Sequence, residues 1–258
     1  MRSARRAECG AWNVFVPDLV TTSTTPAAYR PNRSFGLFAV AKEPEQGEHT
    51  GRMNVTLADG VVLLQARLSP EEQRELWSLC RTLAEGPVPM YTPTVRGGRK
   101  MSVGMLCLGK HWNGLTYKYE DRRSDFDGLT VPEIPPQLAG IARAAAEDAG
   151  FTIQPDVCIM NYYAEGAKLG VHQDKDERPE TIAAGIPIVS VSLGDEARFV
   201  VGGVSRRDPT FPLMLKSGDV IVMGGPSRLR YHGVTRILPG TAPLGTGPGR
   251  FNLTFRQW

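Results

Sequence analysis

The sequence predicts a mostly β fold with flanking helices, closed as a jelly roll, and three observations lead there. From Pro155 onward, six apolar segments follow one another with glycine and proline clusters between them and no helical pattern intervening. Upstream of Pro155, two amphipathic stretches carry helix start and stop signals. The chain has 258 residues, 41% of them hydrophobic, enough for one substantial core. Helices followed by a run of short strands indicate two packed antiparallel sheets rather than a parallel sheet wound with helices.

Taken in order, residues 1–34 are rich in Thr, Pro, Ala and Arg and show neither helical nor strand periodicity. They are expected to be disordered, as a basic arm or an over-extended start. After Gly60, the run Val61-Val62-Leu63-Leu64 suits a buried strand. Ser69-Pro70-Glu71-Glu72 then opens a helix with a hydroxyl cap, a proline in the first turn and a capping-box glutamate, and that helix reaches about Ala84. A second helix, over residues 136–149, sets Leu138, Ile141, Ala142 and Ala145 on one side and ends before Gly150, a left-handed terminator. Both helices should back a sheet. The strands of the β region are expected at residues 157–163, 186–193, 197–201, 220–223, 229–234 and 250–257.

Composition narrows the class. A net charge of +3 is too mild to announce nucleic acid, so any such binding must come from local clustering, for which Arg96, Arg99 and Lys100 are candidates. Cys9, Cys80, Cys107 and Cys158 are widely spaced with no Cys-x-x-Cys pair, which argues against a zinc ribbon and a secreted disulfide framework and suits a reducing compartment. No apolar run approaches the roughly 18 residues that a membrane helix needs. Arg2, Arg5 and Arg6 precede only a short apolar patch broken at Pro17-Asp18, unlike a signal peptide. The expectation is a cytoplasmic monomer with no membrane contact.

The chemistry is concentrated in His172-Gln173-Asp174, the later His232, and Arg250 and Arg256 near the C-terminus. Two imidazoles and one carboxylate on one face of a metal suit Fe(II) and leave positions for a cosubstrate and O₂. In an extended segment residues i and i+2 point to the same side, so His172 and Asp174 can reach one ion while Gln173 faces away. His232 must arrive from another strand. Arg250, Asn252, Thr254 and Arg256 share one face of a terminal strand, where a planar guanidinium could hold the distal carboxylate of a 2-oxoacid. A lone His-x-Asp carries little weight; the order of all five residues carries more. A zinc hydrolase would accept the same three ligands but leaves both arginines without a task.

Five segments raise the specificity: 161–169 (Asn-Tyr-Tyr-Ala-Glu-Gly-Ala-Lys-Leu), 172–177 (His-Gln-Asp-Lys-Asp-Glu), 188–194 (Ile-Val-Ser-Val-Ser-Leu-Gly), 227–233 (Ser-Arg-Leu-Arg-Tyr-His-Gly) and 251–257 (Phe-Asn-Leu-Thr-Phe-Arg-Gln). In that order they resemble the AlkB family of alkylation-repair dioxygenases, from about Phe35 to Trp258. The resemblance implies a double-stranded β-helix of the 2-oxoglutarate oxygenase type. It places a single domain over residues 35–258, a nucleotide-recognition lid at about 90–125 and a jelly-roll core at about 155–258.

It further implies Fe(II) held by His172, Asp174 and His232, with 2-oxoglutarate and O₂ as cosubstrates. Arg250 would grip the C5 carboxylate, Arg256 would steady the inner carboxylate or Asp174, and Asn161, Tyr163 and Asn252 would add neutral hydrogen bonds. The implied activity is oxidative demethylation of 1-methyladenine and 3-methylcytosine in DNA, preferentially single-stranded. The same chemistry on RNA, or a silent nucleic-acid-binding relative, stands as the alternative. For the substrate, Trp112 is the stacking candidate with Tyr117 beside it, Asp176 would meet an exocyclic amino group, and Arg206 would lie near the flipped nucleotide. Around His111-Trp112-Asn113-Gly114 the lid is shorter than the family's, the link 178–185 is longer, and 239–249 is unusually rich in glycine and proline.

Overall fold

Seven antiparallel strands form the larger of two sheets in the computed structural model, which describes residues 53–258. The disorder expected for residues 1–34 falls outside the described residues, as do Cys9 and His49. In spatial order the large sheet runs Met53–Ala58, Val61–Gln65, Val220–Met223, Ile188–Gly194, Arg250–Arg256, Val157–Tyr163 and Gly104–Leu108. The small sheet runs Phe211–Leu215, Glu196–Val201, His232–Leu238 and Leu169–His172. Two short hairpins, Thr94–Val95 with Arg99–Lys100 and His111–Asn113 with Lys118–Glu120, lie in the segment 90–125 for which the sequence suggests a lid.

Burial explains the two strand types. Ile188–Gly194 is buried at every position because helices cover one face of the large sheet and the small sheet covers the other. Glu196–Val201 alternates, since its outer face meets water. The period of two also sorts the C-terminal strand. Phe251, Leu253 and Phe255 join the helix-side core, and that leaves Arg250, Asn252, Thr254 and Arg256 for the face between the sheets.

Helix α1, Pro70–Ala84, starts where expected: the Ser69 hydroxyl accepts from the Glu72 amide and the Glu72 carboxylate accepts from the Ser69 amide. Leu76, Trp77 and Cys80 turn inward. Helix α2, Pro136–Asp148, buries Leu138, Ala142 and Ala145, whose small side chains allow close approach to the sheet, and Gly150 follows at φ +80°. Ile141 is only partly buried; Ala139 and Ala146 take the remaining inward positions.

Three departures from the sequence reading have local causes. The strand expected at 229–234 begins only at His232, because Gly225–Ser227, with Pro226 in its first turn, forms a 3₁₀ turn and the chain bends on to Tyr231. The strands Leu169–His172 and Phe211–Leu215 were not expected. Gly170 hides the first, and Pro212 hides the second, which lies at a sheet edge where proline is tolerated. A short helix α3, Pro179–Ala183, occupies the long link and interrupts the run of strands.

Candidate metal centre

Neighbouring strands of the small sheet bring His172 and His232 directly opposite each other, with ring centroids 4.6 Å apart. Each ring is set by the same device. Nδ1 of His172 donates to the Gly170 carbonyl at 2.8 Å and Nδ1 of His232 to the Arg230 carbonyl at 2.9 Å, two residues back in both cases. Because a carbonyl can only accept, both Nδ1 atoms carry the proton and both Nε2 atoms offer a lone pair. These Nε2 atoms face Asp174, 3.4 Å from Oδ1 and 3.5 Å from Oδ2 respectively. The three ligand atoms lie within 4.8 Å of one another, a spacing that one ion could bridge. The strand ends at His172, yet Asp174 keeps the same-side relation. Gln173 turns away and donates to the carbonyls of Val204 and Leu229.

Asp174 is buried, which alone would raise its carboxyl group. Arg256, paired at 2.8 Å, is the largest opposing influence, and the carboxyl is held well below the usual carboxylate range. Asp174 is therefore an anion ready to ligate.

Behind it opens a cavity of about 740 Å³ between the sheets, lined at its base by Asn161, Tyr163, Ser190, Asn252, Thr254 and Arg256. Asn252 stands across from Asn161 on one side and Ser192 on the other, and its amide donates to the Ser190 hydroxyl and the Val191 carbonyl. Arg250 is opposite Tyr163, fully buried and behind the cavity lining rather than on it. Its guanidinium donates to the Ser192 hydroxyl at 2.7 Å and the Asp195 carbonyl at 3.4 Å. No carboxylate among the described residues lies within ion-pair distance of it, and burial pushes its pKa down to about 10. Its Nε and the Asn161 Oδ1 are buried with no hydrogen-bond partner. A buried cation lacking its anion fits a carboxylate ligand, and the His, Asp, His set fits Fe(II).

At the mouth, Trp112 stacks on Tyr117 with centroids 5.7 Å apart and rings 20° from parallel, and the Arg96 guanidinium lies 4.9 Å over Tyr117. Tyr117 takes φ +58°, a left-handed turn held by Asn113, whose Oδ1 accepts from the amides of Leu115 and Thr116. The Trp112 indole donates to the Asp176 carboxylate at 2.8 Å, a contact that joins two residues the sequence had marked separately. Burial raises the Asp176 carboxyl, and the Trp112 bond partly opposes this. Arg99, Lys100 and Arg206 also border the mouth; Arg206 is exposed and lies over Tyr231. Glu177 and Arg228, to which the sequence assigns no role, contact the ligand loop, as does Tyr119. Glu177 and Arg228 sit in charged motifs that mask them, and Tyr119 is one aromatic among several in its segment.

Residues 60–256 match the model of the 2OG-Fe(II) oxygenase superfamily. AlkB of Salmonella typhimurium, described as an alpha-ketoglutarate-dependent dioxygenase, is 42% identical over 208 residues, covering 78% of this chain and 91% of that protein. The chain belongs to the AlkB family. That membership implies Fe(II), 2-oxoglutarate and O₂ as the cofactor set. A plant relative, the DNA N(6)-methyladenine demethylase ALKBH1C of Arabidopsis thaliana, is 38% identical over 230 residues, covering 81% of this chain and 50% of the relative. This chain thus spans about half the length of that curated relative. The solved structure of OsALKBH1 superposes with a TM-score of 0.75 at 39% identity, covering 80% of this chain and all of the other.

Proposed function

We propose that this protein removes N-methyl groups oxidatively from nucleobases in nucleic acid, with 1-methyladenine and 3-methylcytosine in DNA, single-stranded for preference, as substrates. The observation that carries the reading is the group of a half-buried His172 with buried Asp174 and His232, lining a cavity whose mouth holds an aromatic stack hydrogen-bonded to a carboxylate.

In this reading the Nε2 atoms of His172 and His232 and the Asp174 carboxylate hold Fe(II), and Arg256 keeps the carboxylate aimed by occupying its Oδ2. Arg250, buried behind the cavity lining, would pair with the distal carboxylate of 2-oxoglutarate, and Asn161, Tyr163 and Asn252 would offer hydrogen bonds to its remaining oxygens. When bound, iron, 2-oxoglutarate and O₂ supply the oxidising power that hydroxylates an N-methyl carbon, and the resulting N-hydroxymethyl group leaves as formaldehyde. A methyl group on a pairing edge cannot approach so deep a site while its base stays stacked, so the nucleotide must be flipped or unpaired. Trp112 and Tyr117 offer it a stacking face. Asp176 would accept from the exocyclic amino group and favours a cationic methylated base over a neutral one. Arg99, Lys100 and Arg206 would meet phosphates.

A second reading, N6-methyladenine as substrate, is favoured by the activity for which the Arabidopsis relative is named. Anaerobic loading with Fe(II) and 2-oxoglutarate, then O₂ and oligonucleotides bearing one lesion each, separates the readings. Formaldehyde from 1-methyladenine DNA is expected; release only from N6-methyladenine, or only from RNA, would transfer the assignment. No formaldehyde from any of them refutes demethylation.

A further inference from the structure

Glu177 lies three residues past Asp174, with its side chain wholly enclosed. Arg228 donates to its Oε2 at 2.8 Å, the Tyr119 hydroxyl donates to its Oε1 at 3.1 Å, and Nε of Arg256 lies 3.5 Å from that same oxygen. Arg228 also donates through Nη1 to the Asp174 backbone carbonyl at 2.6 Å, while Arg256 donates to the Tyr119 hydroxyl at 2.6 Å and pairs with Asp174 at 2.8 Å. These contacts close a ring: Asp174, Arg228, Glu177, Tyr119, Arg256 and back to Asp174.

The ring holds two buried guanidiniums and two buried carboxylates, so its charges balance. Without the Glu177 charge, both cations would fall to Asp174 and would compete with a metal for its electron density. We propose that Glu177 and Arg228 are positioning residues for the Asp174 ligand. Glu177 neutralises Arg228 and shares Arg256, which leaves Asp174 free to present its charge to the metal. Arg228 pins the backbone turn that aims it. Tyr119 belongs to the hairpin that carries Trp112, so the same ring fastens the lid to the ligand loop. The inference rests on the metal reading above, and nothing in that reading requires Glu177 or Arg228.

The test is Co(II) binding to the full chain with 2-oxoglutarate present, followed by the visible absorption of the bound ion. Glu177→Gln keeps the size and removes the charge. It should weaken Co(II) binding by about 10- to 100-fold relative to wild type and shift the absorption bands. The double variant E177Q/R228M, which also removes the cation left unbalanced, should recover part of that loss. Co(II) affinity within twofold of wild type with an unchanged spectrum overturns the proposal, as does a double variant no better than E177Q. If E177Q does not fold, Tyr119→Phe decides, since it cuts only the phenol bridge: at least several-fold weaker binding with shifted bands supports the ring, and wild-type behaviour overturns it. Failure of the wild type to bind Co(II) would instead sink the metal reading, and this inference with it.

Discussion

Replacing Arg250 with methionine should strengthen the ligand-free fold and weaken cosubstrate binding at the same time. The guanidinium is fully buried with no carboxylate within ion-pair distance among the described residues, and burial lowers its pKa to about 10. The charged form is disfavoured in the folded state, so the cost to stability is fully present below about pH 10 and fades as pH rises above it. At pH 7 that cost is about 3 kcal/mol. Methionine relieves it but strands the Ser192 hydroxyl and the Asp195 carbonyl, at roughly 1 kcal/mol each. The net gain is about 1 kcal/mol, or about 2–4 °C in Tm for a domain of this size. In contrast, truncating one partner of a buried, hydrogen-bonded charge pair costs about 2–5 kcal/mol, a loss of roughly 30- to 5,000-fold in 2-oxoglutarate affinity. Thermal unfolding without ligands and calorimetric titration of 2-oxoglutarate with Mn(II) read the two effects separately. A fall of several degrees in ligand-free Tm, or affinity within twofold of wild type, would refute the reasoning.

Asp174→Ala removes the only anionic ligand of the three, so Mn(II) binding and formaldehyde release should both drop at least ~100-fold; retention of either contradicts the assignment. Asp176→Asn keeps an acceptor for the Trp112 indole but loses the charge, and the ratio of turnover on 1-methyladenine to N6-methyladenine oligonucleotides should fall; an unchanged ratio removes Asp176 from recognition. Because burial raises the Asp176 carboxyl, ionisation costs stability above its folded pKa, so Asp176→Asn should be more stable than wild type at pH 8 and lose that advantage on acidification below about pH 4. Ser69→Ala breaks the capping box of α1 and should cost about 1 kcal/mol, roughly 2–4 °C in Tm, with turnover unaffected at 25 °C. At Gly194 (φ +92°) an added Cβ would meet the Gly249 carbonyl oxygen at 2.3 Å and Trp77 at 2.7 Å; Gly194→Ala should destabilise by at least ~2 kcal/mol in urea unfolding.

The candidate ligand set was legible in sequence because its chemistry fixes both type and spacing, His172 and Asp174 two apart and then a second histidine from a later strand, and the structure brings the three together. The face of Arg250, Asn252, Thr254 and Arg256 followed from strand periodicity, although its depth did not, and Arg250 lies behind the cavity lining. Local rules failed where tertiary pairing overrode a breaker, at Gly170 and Pro212, and where Pro226 delayed the strand that carries His232. The ring around Glu177 left no local trace. Its members are joined across long separations, 137 residues between Tyr119 and Arg256, and each alone reads as a surface charge or a packing aromatic.

The central claim is a ferrous centre that shares its cavity with a dicarboxylate. Its most direct test is a crystal grown anaerobically with Mn(II) and 2-oxoglutarate, with the metal located by anomalous scattering. The account predicts one peak bonded to Nε2 of His172, Nε2 of His232 and the Asp174 carboxylate, with the distal carboxylate of the ligand on the Arg250 guanidinium. A metal held elsewhere, or a carboxylate that does not meet Arg250, would contradict it.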